Sequence, residues 1–172
     1  MKRVYEHTAD QGAIEYLTPK WIIDALGPFD LDPCASNPRP FDCAKVNLTG
    51  PAQGGECGLE TPWKGFVWCN PPYGRRHNER AFVQKLANHK AGGIALVNVK
   101  PATKLWQDVI LPHASAILLL RKRIVFLNPS GESTGGTFGN QCLIAFGQRA
   151  HKKISTLREH GHIILVENQN GY

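Results

Sequence analysis

The chain has 172 residues, close to the size of one domain, with 42% hydrophobic and 20% charged residues. This composition is typical of a globular protein and excludes a disordered chain. No apolar run reaches the roughly 18 residues that a membrane span needs, so we expect no membrane association. The formal net charge of +6 is compatible with a polyanionic partner. We interpret residues 1–172 as a single domain.

The first predicted elements place two motifs at the ends of strands. Thr18 is a suitable N-cap, with Pro19 at the first helical position, and Gly27-Pro28 ends this helix. The next predicted elements are a strand over Phe29–Asp32, a loop over residues 47–65 and an apolar strand over residues 66–69. Asp32-Pro33-Cys34-Ala35 follows the first strand and Asn70-Pro71-Pro72-Tyr73 follows the second.

The second half of the chain continues the alternation of strands and helices. We predict helices over residues 76–89, 103–111 and about 153–160, strands over 93–99, 115–120, 142–146 and 162–166, and a loop over 128–140. This order predicts an α/β fold with a mostly parallel sheet and helices on both faces. Ligands bind such sheets beyond the carboxyl ends of the strands, where both motifs lie.

The five cysteines and seven histidines predict neither disulfides nor a metal site. An odd number of cysteines cannot pair completely, and there is no Cys-x-x-Cys pair, His-x₃-His pair or His-Glu-x-x-His pattern. The N-terminal segment has no apolar stretch of the secretory type. We therefore expect reduced thiols, no metal and a cytoplasmic location.

Asn70-Pro71-Pro72-Tyr73 predicts chemistry on a planar amine. The lone pair of such a nitrogen is delocalised, so the nitrogen is a poor nucleophile. The Asn70 side-chain oxygen and the Pro71 carbonyl can accept both amine hydrogens and expose the lone pair to an electrophilic methyl group. The consecutive prolines preorganise these acceptors, and Tyr73 can stack on a base swung out of the helix. Asn-Pro and Pro-Pro also occur in ordinary turns.

The order of these motifs resembles the phage-type DNA N6-adenine methyltransferases, the Dam-like family. The matching stretches lie within about residues 15–147 and are Glu15–Pro19, Phe29–Ala35, Gly58-Leu59, Pro62-Trp63, Phe66–Gly74, Thr103–Trp106, Arg123–Phe126 and Phe138 onward. The resemblance implies a Rossmann-like fold that uses S-adenosylmethionine and releases S-adenosylhomocysteine. It also implies methylation of the adenine N6 amine in double-stranded DNA, with no obligatory protein partner, in a bacterial host cytoplasm if the chain is encoded by a phage or prophage.

The resemblance also implies which residues contact the cofactor. Asp32, Pro33, Cys34 and Ala35 correspond to the first cofactor loop, where the Asp32 carboxylate holds the ammonium group directly or through water. Tyr16, Thr18 and Pro19 correspond to the segment that closes over the methionine end, and Asn70 also borders the cofactor. Members often carry an Asp before the Gly-Leu pair; here that position is Cys57, so Glu56 is the candidate contact to the cofactor adenine.

The DNA contacts are predicted from basic residues and loops. The candidates for phosphate contacts are Arg75, Arg76, Lys85, Arg121, Lys122 and Arg123, although exposed charged faces are common. Loops 36–58 and 127–140 are candidates for site recognition, the second through Phe138 and Asn140.

The sequence leaves three alternative functions open and disfavours a fourth. The Asn-Pro-Pro-Tyr motif also occurs in enzymes that methylate RNA adenine or protein glutamine. A catalytically silent DNA-binding module could keep the fold. Cys34 after Pro33 could be the nucleophile of a cytosine-C5 methyltransferase, although that chemistry does not use Asn-Pro-Pro-Tyr.

Overall fold

The computed structural model describes residues 16–72, 78–135 and 139–167 as a mixed α/β structure. Its strands are β1 Phe29–Asp32, β2 Ala44–Asn47, β3 Val67–Cys69, β4 Gly93–Asn98, β5 Ala116–Leu120, β6 Gln141–Phe146 and β7 Gly161–Leu165. Its α-helices are α1 Lys20–Leu26, α2 Glu79–Ala87, α3 Leu111–His113 and α4 Gln148–Ser155. A π-helical segment, Trp106–Ile110, precedes α3, and short 3₁₀ helices cover Pro51–Gln53 and Arg158–His160.

The described strands form one sheet in the order β2-β1-β3-β4-β6-β5-β7. The ladders among β2, β1, β3 and β4 are parallel. The ladders of β6 with β4 and β5, and of β5 with β7, are antiparallel. The expectation of a mostly parallel sheet is therefore wrong for half of the ladders. No pattern in the sequence indicated the direction of β6 and β7.

Helices cover both faces of this sheet, as predicted. On one face, buried residues of α2 and of the π-helical segment, such as Val83 and Val109, pack against Val67 and Ala95. On the other face, buried residues of α1 and α4, such as Ile22 and Ile154, pack in a second core with strand residues that include Trp68 and Leu96. Alternate residues of each central strand enter the two cores, so both sides of the strands are apolar.

Several element boundaries differ from the prediction. Pro19, in extended conformation, occupies the N-cap position of α1, and Thr18 makes no capping bond. Helix α4 begins at Gln148 rather than near residue 153, because Ala150 and Ile154, four residues apart, form its buried side. Strand β2 was not predicted, since two of its four residues are exposed.

The strand directions place the predicted motifs at one edge of the sheet. Strands β1, β3, β4 and β5 end at this carboxyl edge, while β6 begins there because it runs in the opposite direction. Asp32, Asn70, Arg121 and Asn140 therefore all lie at the carboxyl edge.

Candidate active site

The loop after β1 is built around the Asp32 side chain. Asp32 is only 4% exposed, and its Oδ1 accepts a hydrogen bond from the Cys34 amide at 2.9 Å. The backbone is fixed as well, because the Leu48 amide donates to the Asp32 carbonyl and the Ala35 amide donates to the Leu48 carbonyl. Pro33 and Ala35 are buried in this turn, and Cys34 is half-buried. The four predicted cofactor-loop residues thus form one rigid turn.

Asp32 is a buried carboxylate without a salt bridge to any of the described residues. Burial raises its pKa from 3.8 to about 7, against the lowering effects of the Cys34 amide, the charge of Arg39 and the Cys43 thiol. A cationic group placed next to this carboxylate would restore its ionised form. The loop therefore has the electrostatic character of a site for a positively charged ligand.

The thiols around this loop are poor nucleophiles. Burial raises the pKa of Cys34 well above its usual value, and the neighbouring Cys69 thiol raises it further. Burial also raises the pKa of Cys43. A nucleophilic cysteine needs a lowered pKa at neutral pH. The cytosine-C5 alternative, with Cys34 as attacking thiolate, does not fit this environment.

Asn70 follows β3 directly, and its amide is oriented by the chain segment before α1. Its Nδ2 donates to the Tyr16 carbonyl at 3.3 Å, which assigns Oδ1 as the acceptor end of the side chain. The Tyr16 ring packs edge-on against Phe126 with centroids 5.9 Å apart, and Leu17 pairs with Leu127 through two backbone bonds of 2.9 Å. The predicted closing segment therefore lies next to the predicted catalytic asparagine.

Other predicted residues of these two segments fall around Asn70. Pro71 and Pro19 are buried, and Pro72 is half-buried. Thr18 is 3% exposed, and its Oγ1 has no hydrogen-bond partner among the described residues. A buried hydroxyl without a partner in the protein indicates a place where a ligand can bond. Tyr73 lies outside the described residues.

The carboxyl edge thus carries two features side by side. One is the buried Asp32 carboxylate after β1, which has no salt bridge to the described residues, and the other is the oriented Asn-Pro-Pro sequence after the neighbouring strand β3. The model of the family "DNA N-6-adenine-methyltransferase (Dam)" matches residues 6–169. The chain belongs to this Dam family. Comparisons with curated proteins and with solved structures find no match. The membership confirms the resemblance and supports DNA adenine methylation in general terms.

A network that the sequence did not indicate holds the Gly58-Leu59 turn of this Dam-family chain. Lys85 Nζ donates to the carbonyls of Gly58, Leu59 and Thr61 at 3.2, 2.7 and 2.8 Å. Trp63 Nε1 donates to the Gly58 carbonyl at 2.7 Å, and the Lys85 ammonium lies 5.0 Å from the Trp63 ring centroid. A Cβ on Gly58 would come within 2.1 Å of the Pro33 carbonyl oxygen, so this turn packs on the Asp32 loop.

Glu56 lies beside this turn. It is exposed, and its Oε2 accepts a hydrogen bond from the Thr61 hydroxyl at 3.2 Å. Its role as the contact to a cofactor adenine stays a prediction. The expectation that Lys85 contacts a phosphate is wrong, because its ammonium group is bonded to backbone carbonyls 24 to 27 residues away, a contact that no local sequence pattern indicates.

The basic residues after β5 lie at the same edge as the site. Arg121, Lys122 and Arg123 are exposed, and Arg123 Nε donates to Asn140 Oδ1 at 3.2 Å. This bond joins a predicted phosphate contact to a predicted recognition residue. Arg75, Arg76 and Phe138 lie outside the described residues.

The two predicted recognition loops meet in the structure. A Cβ on Gly131 would lie 2.9 Å from Pro40 Cβ, so loops 36–58 and 127–140 are in contact there. A cleft of about 410 Å³ is lined by residues 37–42 and includes the Arg39–Asp42 ion pair at 2.6 Å.

Two searches of the described residues bear on cofactors and membranes. Across residues 16–72, 78–135 and 139–167, no cluster of three His, Cys, Asp or Glu side chains could hold a metal ion. No helix in the same part of the chain has the length and hydropathy to cross a membrane.

Proposed function

We propose that this Dam-family chain is a Rossmann-like methyltransferase that transfers the methyl group of S-adenosylmethionine to the N6 amine of adenine at specific sites in double-stranded DNA. One observation carries the proposal. Asp32 and Asn70 stand at the carboxyl ends of adjacent parallel strands, the first suited to a cation and the second to an amine. A cofactor and a base bound at these two positions would be next to each other.

The residues around Asp32 fit the amino-acid part of S-adenosylmethionine. Its α-ammonium group would restore the ionised form of the buried Asp32 carboxylate. On the side of Asn70, the buried Thr18 hydroxyl, which has no partner among the described residues, would supply a further polar contact. When bound, the cofactor supplies an electrophilic methyl group attached to a sulfonium.

Asn70 and Pro71 prepare the nitrogen of the target base. Asn70 Oδ1 and the Pro71 carbonyl accept the two amine hydrogens, which draws the nitrogen out of conjugation and exposes its lone pair. Both acceptors also stabilise the positive charge that develops on this nitrogen during transfer. The Tyr16 carbonyl keeps Asn70 in this orientation by holding its Nδ2. No thiol is needed for this chemistry, in agreement with the protonated state of Cys34.

The product test uses methyl-labelled cofactor with DNA, RNA or protein, followed by digestion and mass identification of the modified unit. We expect N6-methyladenine in double-stranded DNA at a defined sequence. If the label appears in RNA adenine or in protein glutamine and not in DNA, the assignment of DNA as substrate is wrong, whereas the proposed chemistry on an amine nitrogen stands. Cofactor binding without transfer to any substrate would indicate the silent module instead.

A salt titration tests the DNA contacts independently of catalysis. With roughly four to six phosphate contacts, the slope of log affinity against log salt should be about −4 to −5. Replacing Arg121 and Arg123 together by Gln should flatten this slope by about two and weaken all sequences alike. Replacing Asn140, whose Oδ1 accepts the hydrogen bond from Arg123, should change the preference among DNA sites. Fluorescence anisotropy measures all three, and a flat slope for the unaltered protein would contradict the DNA assignment.

A further inference from the structure

Three carboxamide side chains stand in a row at the carboxyl edge, on one face of the sheet. Asn98 ends β4 and Gln141 begins β6, and the two residues are directly paired in the β4–β6 ladder. Strand alternation puts both on the face that carries Leu96 and Leu143. Asn70, at the end of β3, contacts Tyr16, which packs on the same face. The row therefore runs across neighbouring strands β3, β4 and β6.

Gln141 is the unusual member of this row. It is 5% exposed, and its Nε2 donates to Asn98 Oδ1 at 3.2 Å. Its Oε1 is buried and has no hydrogen-bond partner among residues 16–72, 78–135 and 139–167. Strands are spaced about 4.8 Å apart, so Gln141 lies roughly 10 Å across the sheet from the strand that bears Asn70.

Neighbouring groups pack closely against the Asn98–Gln141 pair. A Cβ on Gly139 would come within 2.5 Å of Asn98 Oδ1, so only glycine fits there without a shift. Trp106 Nε1 donates to the Asn98 carbonyl at 3.0 Å, and the Val99 amide donates to the Asn140 carbonyl at 2.7 Å. A buried polar atom left without a partner destabilises a fold. A partner that arrives with the substrate explains why the chain keeps Gln141 here.

The pair can offer either a donor or an acceptor. Exchange of the oxygen and nitrogen in both amides keeps the Asn98–Gln141 bond and turns the unpartnered atom from Oε1 into Nε2. In the proposed mechanism, Asn70 and Pro71 take both hydrogens of the N6 amine. The hydrogen-bonding atoms that adenine then has left are the acceptors N1, N3 and N7, which need a donor.

We propose that Gln141, oriented by Asn98, is a substrate-binding residue that donates through Nε2 to a ring nitrogen of the target adenine. This inference rests on the proposed function. It makes Gln141 a reader of the extruded base, distinct from the residues that read the flanking sequence. Guanine carries a hydrogen on N1, so a donor directed at that position would also reject it.

The test combines a substitution of Gln141 with the replacement of a single ring nitrogen in the target adenine, and it asks whether the two effects are coupled. The methylated site is first located in a long duplex by sequencing the modified adenines. Short duplexes then carry 1-deaza-, 3-deaza- or 7-deazaadenine at the target position only. Single-turnover methylation and binding are measured for the unaltered protein, for Gln141→Met and for the control Gln148→Met, an exposed residue of α4 outside the row.

We expect Gln141→Met to lower the rate on normal DNA by roughly two- to tenfold, as for loss of one hydrogen bond. Each analogue can change the rate through its intrinsic reactivity. One of the three should lower the rate of the unaltered protein by a further factor, and this further factor should be absent in Gln141→Met. Gln148→Met should respond to every analogue as the unaltered protein does. The analogue experiment on the unaltered protein does not depend on the folding of a variant, and thermal unfolding checks both variants.

Two outcomes would overturn the inference in different ways. If the effects of Gln141→Met and of all three analogues simply multiply, Gln141 does not contact a ring nitrogen, and the proposed function stands. If the unaltered protein methylates no DNA adenine at all, the proposed function fails, and the role of Gln141 fails with it.

Discussion

Asp30 and Asp32 are two residues apart on the same strand, and the structure treats them in opposite ways. Asp30 Oδ1 accepts from Lys45 at 2.8 Å and its Oδ2 accepts from the Phe66 amide at 2.8 Å. These bonds hold the pKa of Asp30 below its ordinary value. Asp32 is buried without a cationic contact among the described residues, and its pKa rises to about 7. One carboxylate has a cationic partner within the fold, and the other has none among the described residues.

The same contrast separates the two edges of the sheet. At the amino edge, Arg149 lies 4.2 Å from the Phe66 ring centroid and donates to the Pro28 carbonyl. Lys153 bonds to the Gly27 carbonyl there. At the carboxyl edge, the buried polar atoms of Thr18 and Gln141 have no partner in the described part of the chain. The polar groups named at the amino edge bond within the fold, whereas these two buried atoms at the carboxyl edge do not.

The largest expected effect comes from Asn70→Ala. It should reduce methyl transfer at least about 100-fold, because one of the two acceptors for the amine is lost in the transition state. Cofactor affinity should stay within a few-fold, as measured by calorimetry on the same preparation. Asn88→Ala, at an exposed position after α2, is the matched control and should keep full activity. Near-normal turnover of Asn70→Ala would contradict the proposed chemistry.

The next effect separates Asp32 from Asp30 directly. Asp32→Asn should weaken binding of S-adenosylmethionine and S-adenosylhomocysteine roughly 10- to 100-fold, because the ammonium group loses a charged partner. The same change should raise the Tm at pH 8, since a buried ionised carboxylate is replaced by a neutral amide that can still accept from the Cys34 amide. Unchanged dissociation constants would mean that Asp32 only caps its own turn.

The pH dependence of cofactor binding gives a smaller, more specific effect. Because burial raises the pKa of Asp32 to about 7, ligand binding must ionise this group when the solution is more acidic. Affinity for S-adenosylhomocysteine should therefore rise about tenfold or more between pH 5.5 and pH 7, where the ligand ammonium stays protonated. Asp32→Asn should remove this dependence. A parallel pH profile for both proteins would assign the titration to another group.

The sequence predicted the central strands and the placement of the two motifs well. The continuous apolar run before Asn70 defines β3 to within one residue, because a strand buried on both faces leaves such a signal, and the alternating segment Phe29–Asp32 defines β1. The carboxyl-end rule then placed Asp32 and Asn70 at one edge without knowledge of the strand order. Tyr16 beside Asn70 followed from the family resemblance alone.

The rest depended on tertiary contacts that no local pattern encodes. In Phe29-Asp30-Leu31-Asp32 both aspartates alternate with apolar residues, and nothing in the sequence distinguishes the one that pairs with Lys45 from the one that has no cationic partner among the described residues. Gln141 comes before the apolar run of residues 142–146, where surface residues are common, and its burial beside Asn98 is seen only in the folded structure. The direction of β6, which brings Gln141 to the site, also had no signal in the sequence.

The smallest expected effect completes the comparison of the two aspartates. Asp30→Asn should lower the Tm by a few degrees at neutral pH and leave cofactor affinity unchanged, because its partners Lys45 and the Phe66 amide belong to the fold.

The folded pKa of Asp30 is lowered, so its stabilisation is present above its ordinary pKa of 3.8 and is lost as the pH falls through the folded value. For Asp32 the folded pKa is raised, so its contribution to stability is present below about pH 4 and is lost as the pH rises to about 7. Thermal unfolding of Asp30→Asn and Asp32→Asn from pH 3 to pH 8 should therefore give differences from the unaltered protein that change in opposite directions. Differences of the same direction would show that Asp32 has a cationic partner within the fold, and the assignment of its carboxylate to a ligand would then be wrong.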